Sequence, residues 1–386
     1  MSQPRPFTLH VADEVLEDLQ LRLVRARFPD LPPHGEPWQY GADVRYLQEL
    51  VAYWREGYDW RRQEAALNAF PQYMAAVAGI DVHFLHVPGV GPRPMPLLLS
   101  HGWPGSVWEF HKIIPLLTDP GRFGGDPADA FTVVAPSLPG YALSFRPGQS
   151  RFGPAEIAAA FVELMRDVLG YDRFLAQGGD WGAFVSAYIG MTEPAAALGV
   201  HLNLIPFRRE PVSDAEAQTP EMRAYSEELE HWLREETGYS AIQGTKPQSL
   251  AFGLTDSPVG LAAWIVEKFR TWSDNGGNIE RSFSKDELLT NVMLYWVTGA
   301  IASSFWPYYV RAHGGWRLPS PESRVEVPTA YQSFPKDILH LPRSLAERSF
   351  NIQRWTTAPR GGHFAALEEP ELLAEDVRAF ARTLRG

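Results

Sequence analysis

Three short stretches carry residues whose types and spacing could do chemistry. The first is Gly178-Gly179-Asp180-Trp181-Gly182, where a carboxylate stands among small residues between a strand-like run and a helix-like one. Glycines permit a tight turn, and the N-terminus of the following helix favours an ionised carboxylate. Such a carboxylate can displace at an sp3 carbon without a base, leaving an alkyl ester on the protein. The second stretch, His101-Gly102-Trp103-Pro104-Gly105-Ser106, is a sharp turn that exposes backbone N–H groups. The N–H of Trp103, with that of Trp181, could gather around the oxyanion formed when the ester is hydrolysed. The third, Arg360-Gly361-Gly362-His363-Phe364, puts a histidine on a Gly-rich loop, where it could act as general base toward water. A histidine base needs an acid to orient it. Asp337 fits best, with Glu326 and Glu347 as alternatives. Carboxylate attack suits epoxides or alkyl halides better than esters or amides. An epoxide oxygen then needs a proton donor, whereas a halide leaving group needs N–H donors such as Trp or Asn.

These groups need strands and turns to hold them, and the patterning supplies both. Apolar or alternating runs at Ile80–Val87, Pro96–Ser100, Phe131–Ala135, Phe174–Gln177 and Gly199–Leu202 predict strands, with helix-like stretches at about 106–117, 154–169 and 181–190 between them. Short apolar strands alternating with helices predict an α/β protein with a mostly parallel sheet covered on both faces, whose sites form at the C-terminal ends of strands. Ahead of the sheet, Leu16, Leu19, Leu23 and Ala26 recur at helical spacing behind Asp13, a candidate N-cap, and Val44, Leu47, Leu50, Val51 and Trp54 repeat the signal. A Pro-rich loop, Pro29–Pro37, separates them, and the first 75 or so residues are read as containing no strand. From about Arg208 to Gly315 the alternation lapses into aromatic-rich helical sequence, an insertion. Strand patterns return at Val325–Tyr331 and Phe350–Trp355, and a helix from about Pro370 to Leu384 closes the chain. The expected divisions are therefore a helical lead segment at 1–95, a core at 96–207 and 316–386, and a helical cap at 208–315.

Composition narrows the classes further. Hydrophobic residues make up 45% and charged residues 21%, as in an ordered globular protein. The net charge of −11, without any basic run, argues against a nucleic-acid partner. With no Cys, any covalent chemistry must use oxygen or nitrogen. The absence of a leader or of a long apolar stretch predicts a cytoplasmic protein with no membrane anchor. No cofactor or metal is called for, since His83 and His86 lie on a predicted strand at a spacing that separates them. Oligomeric state is left open, a homo-oligomer being compatible with the sequence.

The order of oxyanion turn, nucleophile turn and histidine is that of an α/β-hydrolase. Within that fold the chain resembles the epoxide hydrolases of the microsomal and juvenile-hormone type. HGWPGS at 101–106, GGDWG at 178–182, TGYSAIQGTKP at 237–247, YWVTGAIASS at 295–304, VPTAYQSFPKD at 327–337 and GGHFAALEEPELLAED at 361–376 carry the resemblance, which extends over essentially the whole chain. It implies an α/β-hydrolase fold with a helical cap and a helical N-terminal segment. It also implies Asp180 as nucleophile, His363 as base, Asp337 as its acid, and Trp103 and Trp181 as oxyanion N–H donors. Two cap tyrosines are added by it alone: Tyr239 and Tyr308, as proton donors to the epoxide oxygen, with Tyr309 as the rival for the second. The implied partners are a small apolar or aryl epoxide and water. A haloalkane dehalogenase and an inert ligand carrier are the other readings.

Overall fold

Strands buried on both faces read as continuous apolar runs, and the middle of this chain supplies them in order. In a computed structural model, which describes residues 3–31, 33–206, 213–314 and 323–385, they assemble into one sheet. Its strands are β1 (Arg5–Pro6), β2 (Gln72–Val77), β3 (Ile80–Val87), β4 (Met95–Ser100), β5 (Phe131–Pro136), β6 (Phe174–Gly178), β7 (Ala197–Leu202), β8 (Val325–Ser333) and β9 (Phe350–Thr357). The order across the sheet is β1-β2-β3-β5-β4-β6-β7-β8-β9. Pairing is antiparallel from β1 to β5 and parallel from β5 through β9. Leu97, Leu98, Val133, Val134, Phe174, Leu175 and Ala176 are wholly buried at its centre. This is the α/β-hydrolase fold, a mixed sheet with helices packed against it.

The lead segment departs from the expectation of a strandless start. β1 and β2 both lie within it, and a third helix, Trp60–Asn68, precedes β2. Gln-Tyr-Met-Ala-Ala-Val has little period-two contrast, so β2 owes its extended form to antiparallel pairing with β3 rather than to its own pattern. The hairpin between them turns on Ala78 and Gly79, at φ 48° and 79°, a two-residue turn without the Asn-Gly or Asp-Gly that would announce it. Asp13 is likewise not an N-cap. It is the first residue of the helix Asp13–Val24, Ala12 stands at the cap without a side-chain bond, and the Asp13 carboxylate is taken by Arg61. Asp43 does cap its helix, Val44–Glu56, accepting from the Tyr46 N–H.

Between β7 and β8 the chain forms helices only, among the described residues. They include Pro220–Glu235, Gly238–Thr245, Pro247–Asp256, Pro258–Thr271, Lys285–Thr298, Ile301–Ser304 and Trp306–Ala312. The expected boundaries at 207/208 and 315/316 lie outside the described residues. The closing helix, Pro370–Leu384, buries Leu373, Val377 and Phe380. Asp376, on the same helix, is bound by His201 of β7 and by Arg354 and Thr356 of β9. Among the described residues no single helix is long and apolar enough to cross a membrane.

Candidate active site

Asp180 follows β6 after the single residue Gly179 and begins the helix Asp180–Thr192. Its φ of +47° is a left-handed value that a residue with a Cβ rarely adopts, and it lifts the side chain out of the sharp turn between strand and helix. The turn closes only because its flanks lack side chains. A Cβ at Gly178 would lie 2.2 Å from the Gly182 carbonyl, and one at Gly182 would lie 1.8 Å from the Ser100 oxygen. The end of β4 then brings up the 101–106 turn, where the Trp103 N–H donates to Asp180 Oδ1 at 2.8 Å. Gly102 is required for this approach, since a Cβ there would sit 2.3 Å from Asp180 Oδ1. His101 pins the turn from inside. Its Nδ1 lies 3.0 Å from the Gly102 oxygen, its Nε2 accepts from the Leu138 N–H, and burial pushes it down to about 4, so it is neutral.

His363 stands between two carboxylates. Its Nδ1 is 2.6 Å from Asp337 Oδ1 and its Nε2 is 3.4 Å from Asp180 Oδ2. Burial by itself would lower its pKa. The charge of Asp337 and the hydrogen bond to Asp180 win instead and raise it to about 10, so the ring is an imidazolium at neutral pH. The loop is tied to the helical layer by the His363 N–H to the Trp272 oxygen and the Gly361 N–H to Asp274 Oδ2. Glu368 completes the tie by accepting from Asp274 and Phe364. The two alternative acids lie elsewhere: Glu326 is exposed on β8, and Glu347 pairs with Arg343 at 2.6 Å.

Tyr239 and Tyr308 come from two helices of the layer between β7 and β8, and both line a cavity of about 510 Å3 with Asp180. Tyr239 stacks on the Trp103 ring at 5.1 Å, and Tyr308 meets Trp181 edge-on at 4.8 Å. Burial pushes both phenols well above the ordinary tyrosine value, and the Asp180 charge acts in the same direction, so both keep their protons. Tyr309 is placed differently. It stacks between Trp306 and His313 and is absent from the cavity wall.

Sequence reasoning passed over the residues that brace the 101–106 turn. Asn291 donates to the Pro104 oxygen and accepts from Ser106 Oγ, and Tyr295 donates to the Gly105 oxygen at 2.6 Å. Tyr295 was legible only as part of YWVTG, a segment with no assigned task. The two strand histidines each have hydrogen-bond partners: His83 touches Ser137 and Gln72, and His86 touches Tyr171.

Known proteins resemble this chain over its whole length. Residues 4–110 match the family described as epoxide hydrolase N terminus, and residues 95–236 match the alpha/beta hydrolase fold. A putative epoxide hydrolase of Stigmatella aurantiaca is 42% identical over 99% of this chain and 85% of its own length. The chain belongs to the epoxide hydrolases. Epoxide hydrolase 1 of Oryctolagus cuniculus is 39% identical over 97% of the chain and 88% of its own. Among solved structures, the juvenile hormone epoxide hydrolase of the silkworm Bombyx mori superposes with a TM-score of 0.88 at 31% identity, covering all of this chain and 95% of that one. The Aspergillus niger epoxide hydrolase gives 0.86 at 31%, over 99% and 97%. In this epoxide hydrolase, then, a carboxylate, an imidazole and two phenols share one buried centre.

Proposed function

We propose that this protein converts an apolar or aryl epoxide to a vicinal diol through a covalent ester on Asp180. The carrying observation is that Asp180 shares one cavity with two buried, protonated phenols while the Trp103 N–H holds its Oδ1. In the first half-reaction Asp180 Oδ2 attacks an epoxide carbon. The C–O bond breaks, and its oxygen takes the phenolic proton of Tyr239 or Tyr308, leaving a tyrosinate while the other phenol hydrogen-bonds to the same oxygen. In the second, His363, oriented by Asp337, takes a proton from water as the water oxygen bonds to the ester carbonyl carbon. The N–H groups of Trp103 and Trp181 stabilise the oxyanion. Collapse releases the diol as His363 returns its proton to the alkyl oxygen, and the remaining water proton, left on the Asp180 carboxyl, returns to the tyrosinate, restoring carboxylate and phenol. The helices between β7 and β8 serve as the cap, and the apolar wall offered by Trp181, Phe184, Leu204 and Trp232 supports a bulky apolar substrate. Two phenols suit an epoxide oxygen better than a departing halide.

The test offers the protein aryl and alkyl epoxides beside matched haloalkanes, with diol and halide measured and intact-protein mass followed. Diol should form and should vanish in Asp180→Ala. His363→Gln should accumulate a protein adduct of substrate mass. Halide release without diol, or no adduct in His363→Gln, would contradict the scheme.

A further inference from the structure

A second, much smaller cavity also borders Asp180. It has room of about 20 Å3, and Glu109, Asp180, His363, Gly102 and Trp103 are among its walls. That is space for one water molecule, provided two or more polar groups can hold it. Three of the groups there, Asp180, His363 and the Trp103 N–H, are already spoken for in the proposed chemistry. Glu109 is not.

Glu109 lies on the short 3-10 turn Val107–Phe110 that follows the 101–106 stretch. Its side chain folds back over Gly105: a Cβ at Gly105 would lie 1.3 Å from Glu109 Oε1. The carboxyl thus fills the volume that any side chain at 105 would claim. The Ser106 backbone hydrogen-bonds to it, and of the charged groups that act on it the cation is His363 and the anion is Asp180. Burial pushes the carboxyl up to about 8, with Asp180 adding to the rise and His363 and Ser106 opposing it. A half-buried carboxyl whose pKa desolvation raises, beside the two reacting residues and on the wall of a water-sized space, calls for an explanation that helix capping alone does not provide.

A water molecule that attacks an ester has two O–H bonds to dispose of. One must point at the base. Unless the other is also held, the molecule rotates and its lone pair spends little time facing the carbonyl carbon. We propose that Glu109 orients the hydrolytic water: a carboxyl oxygen accepts one O–H while the other O–H points to His363 Nε2, leaving a lone pair aimed at Cγ of the Asp180 ester. The inference rests on the covalent reading above. In the step itself the water oxygen bonds to Cγ, its proton passes to His363 Nε2, and the carbonyl π pair moves onto the oxygen as an oxyanion. Collapse breaks the bond from Cγ to the alkyl oxygen, which takes the proton from His363 as the diol leaves. Glu109 neither gains nor loses a proton, and in either protonation state it keeps an oxygen able to accept.

Single-turnover kinetics on the full chain with styrene oxide as probe, the ester followed by quenching and intact-protein mass, separates the two half-reactions. Glu109→Leu should form ester at close to the wild-type rate and hydrolyse it about tenfold or more slowly, so that ester accumulates. Glu109→Gln keeps a carbonyl acceptor and should bring hydrolysis back to within about threefold of wild type. Glu109→Met serves as a second apolar variant should the leucine protein not fold. A merely structural role would slow both half-reactions together, lower the melting temperature in step, and leave the glutamine variant no advantage. That result, or wild-type hydrolysis in the apolar variants, would overturn the inference while leaving the ester intact. Absence of any ester in wild type and in His363→Gln alike would overturn the covalent reading, and this inference with it.

Discussion

Asp180 and Asp337 flank His363 on its two nitrogens, and their charges act on the ring in the same direction. While both are ionised the ring holds its proton to about pH 10 and cannot take another. Ester formation on Asp180 would remove one of those charges and the hydrogen bond with it. The pKa of His363 should therefore fall in the ester, and hydrolysis of the ester should rise with pH to a plateau whose midpoint lies below 10. A pH series of single-turnover hydrolysis rates checks this, and a midpoint at or above 10 would speak against it. In the proposed scheme the phenols would act on the other half-reaction. Tyr239→Phe and Tyr308→Phe should each slow ester formation by about ten- to a hundredfold, with ester hydrolysis little changed. Rapid-quench measurement of the two steps decides the matter, and equal slowing of both would remove the tyrosines from the role of donor.

At the scale of elements, the helix Lys285–Thr298 works as a brace. Through Asn291 and Tyr295 it holds three successive groups, the Pro104 oxygen, the Gly105 oxygen and the Ser106 hydroxyl, of the turn whose Trp103 N–H meets Asp180. Both Asn291 and Tyr295 are buried, so their loss would leave backbone acceptors unpaired. Asn291→Ala should cost about 1–3 kcal/mol of stability, read by denaturant unfolding. It should also slow both ester formation and hydrolysis, because in the proposed scheme the turn would serve each. The same scale explains what could be read in advance. The strands β4, β5 and β6 were legible as apolar runs, and the helix after β6 as the helix-like stretch at about 181–190. β2 was not legible, because an Ala-rich strand whose hairpin turns on Ala78-Gly79 carries its signal in the partner, β3.

Across the whole molecule, the helical layer is latched to the sheet at points away from the reacting centre. His340, on the loop after β8, is 2.6 Å from Glu228 of the helix Pro220–Glu235, and its backbone N–H bonds the same carboxylate at 2.7 Å. The hydrogen bond to Glu228 outweighs burial and raises His340 to about 9. The pair's contribution is therefore complete below about pH 6.5, the ordinary histidine value, and is lost as pH rises through about 9. Because both side chains are about one-third exposed, water screens the pair, and the contribution is about 1 kcal/mol. Melting temperatures of wild type and His340→Gln should differ at pH 6 and converge near pH 10. Parallel curves would show that the latch carries no pH-dependent stability. The strand–turn–helix frame around Asp180, and the order of turn, nucleophile and histidine along the chain, are written in local sequence, because they follow from periodicity and from glycine's freedom at a tight turn. Tertiary packing is what sets His363 between Asp180 and Asp337, puts Tyr308 rather than Tyr309 on the cavity wall, and folds Glu109 over Gly105. Contacts between residues tens or hundreds of positions apart are set by how strands register and helices pack, and no local pattern encodes that.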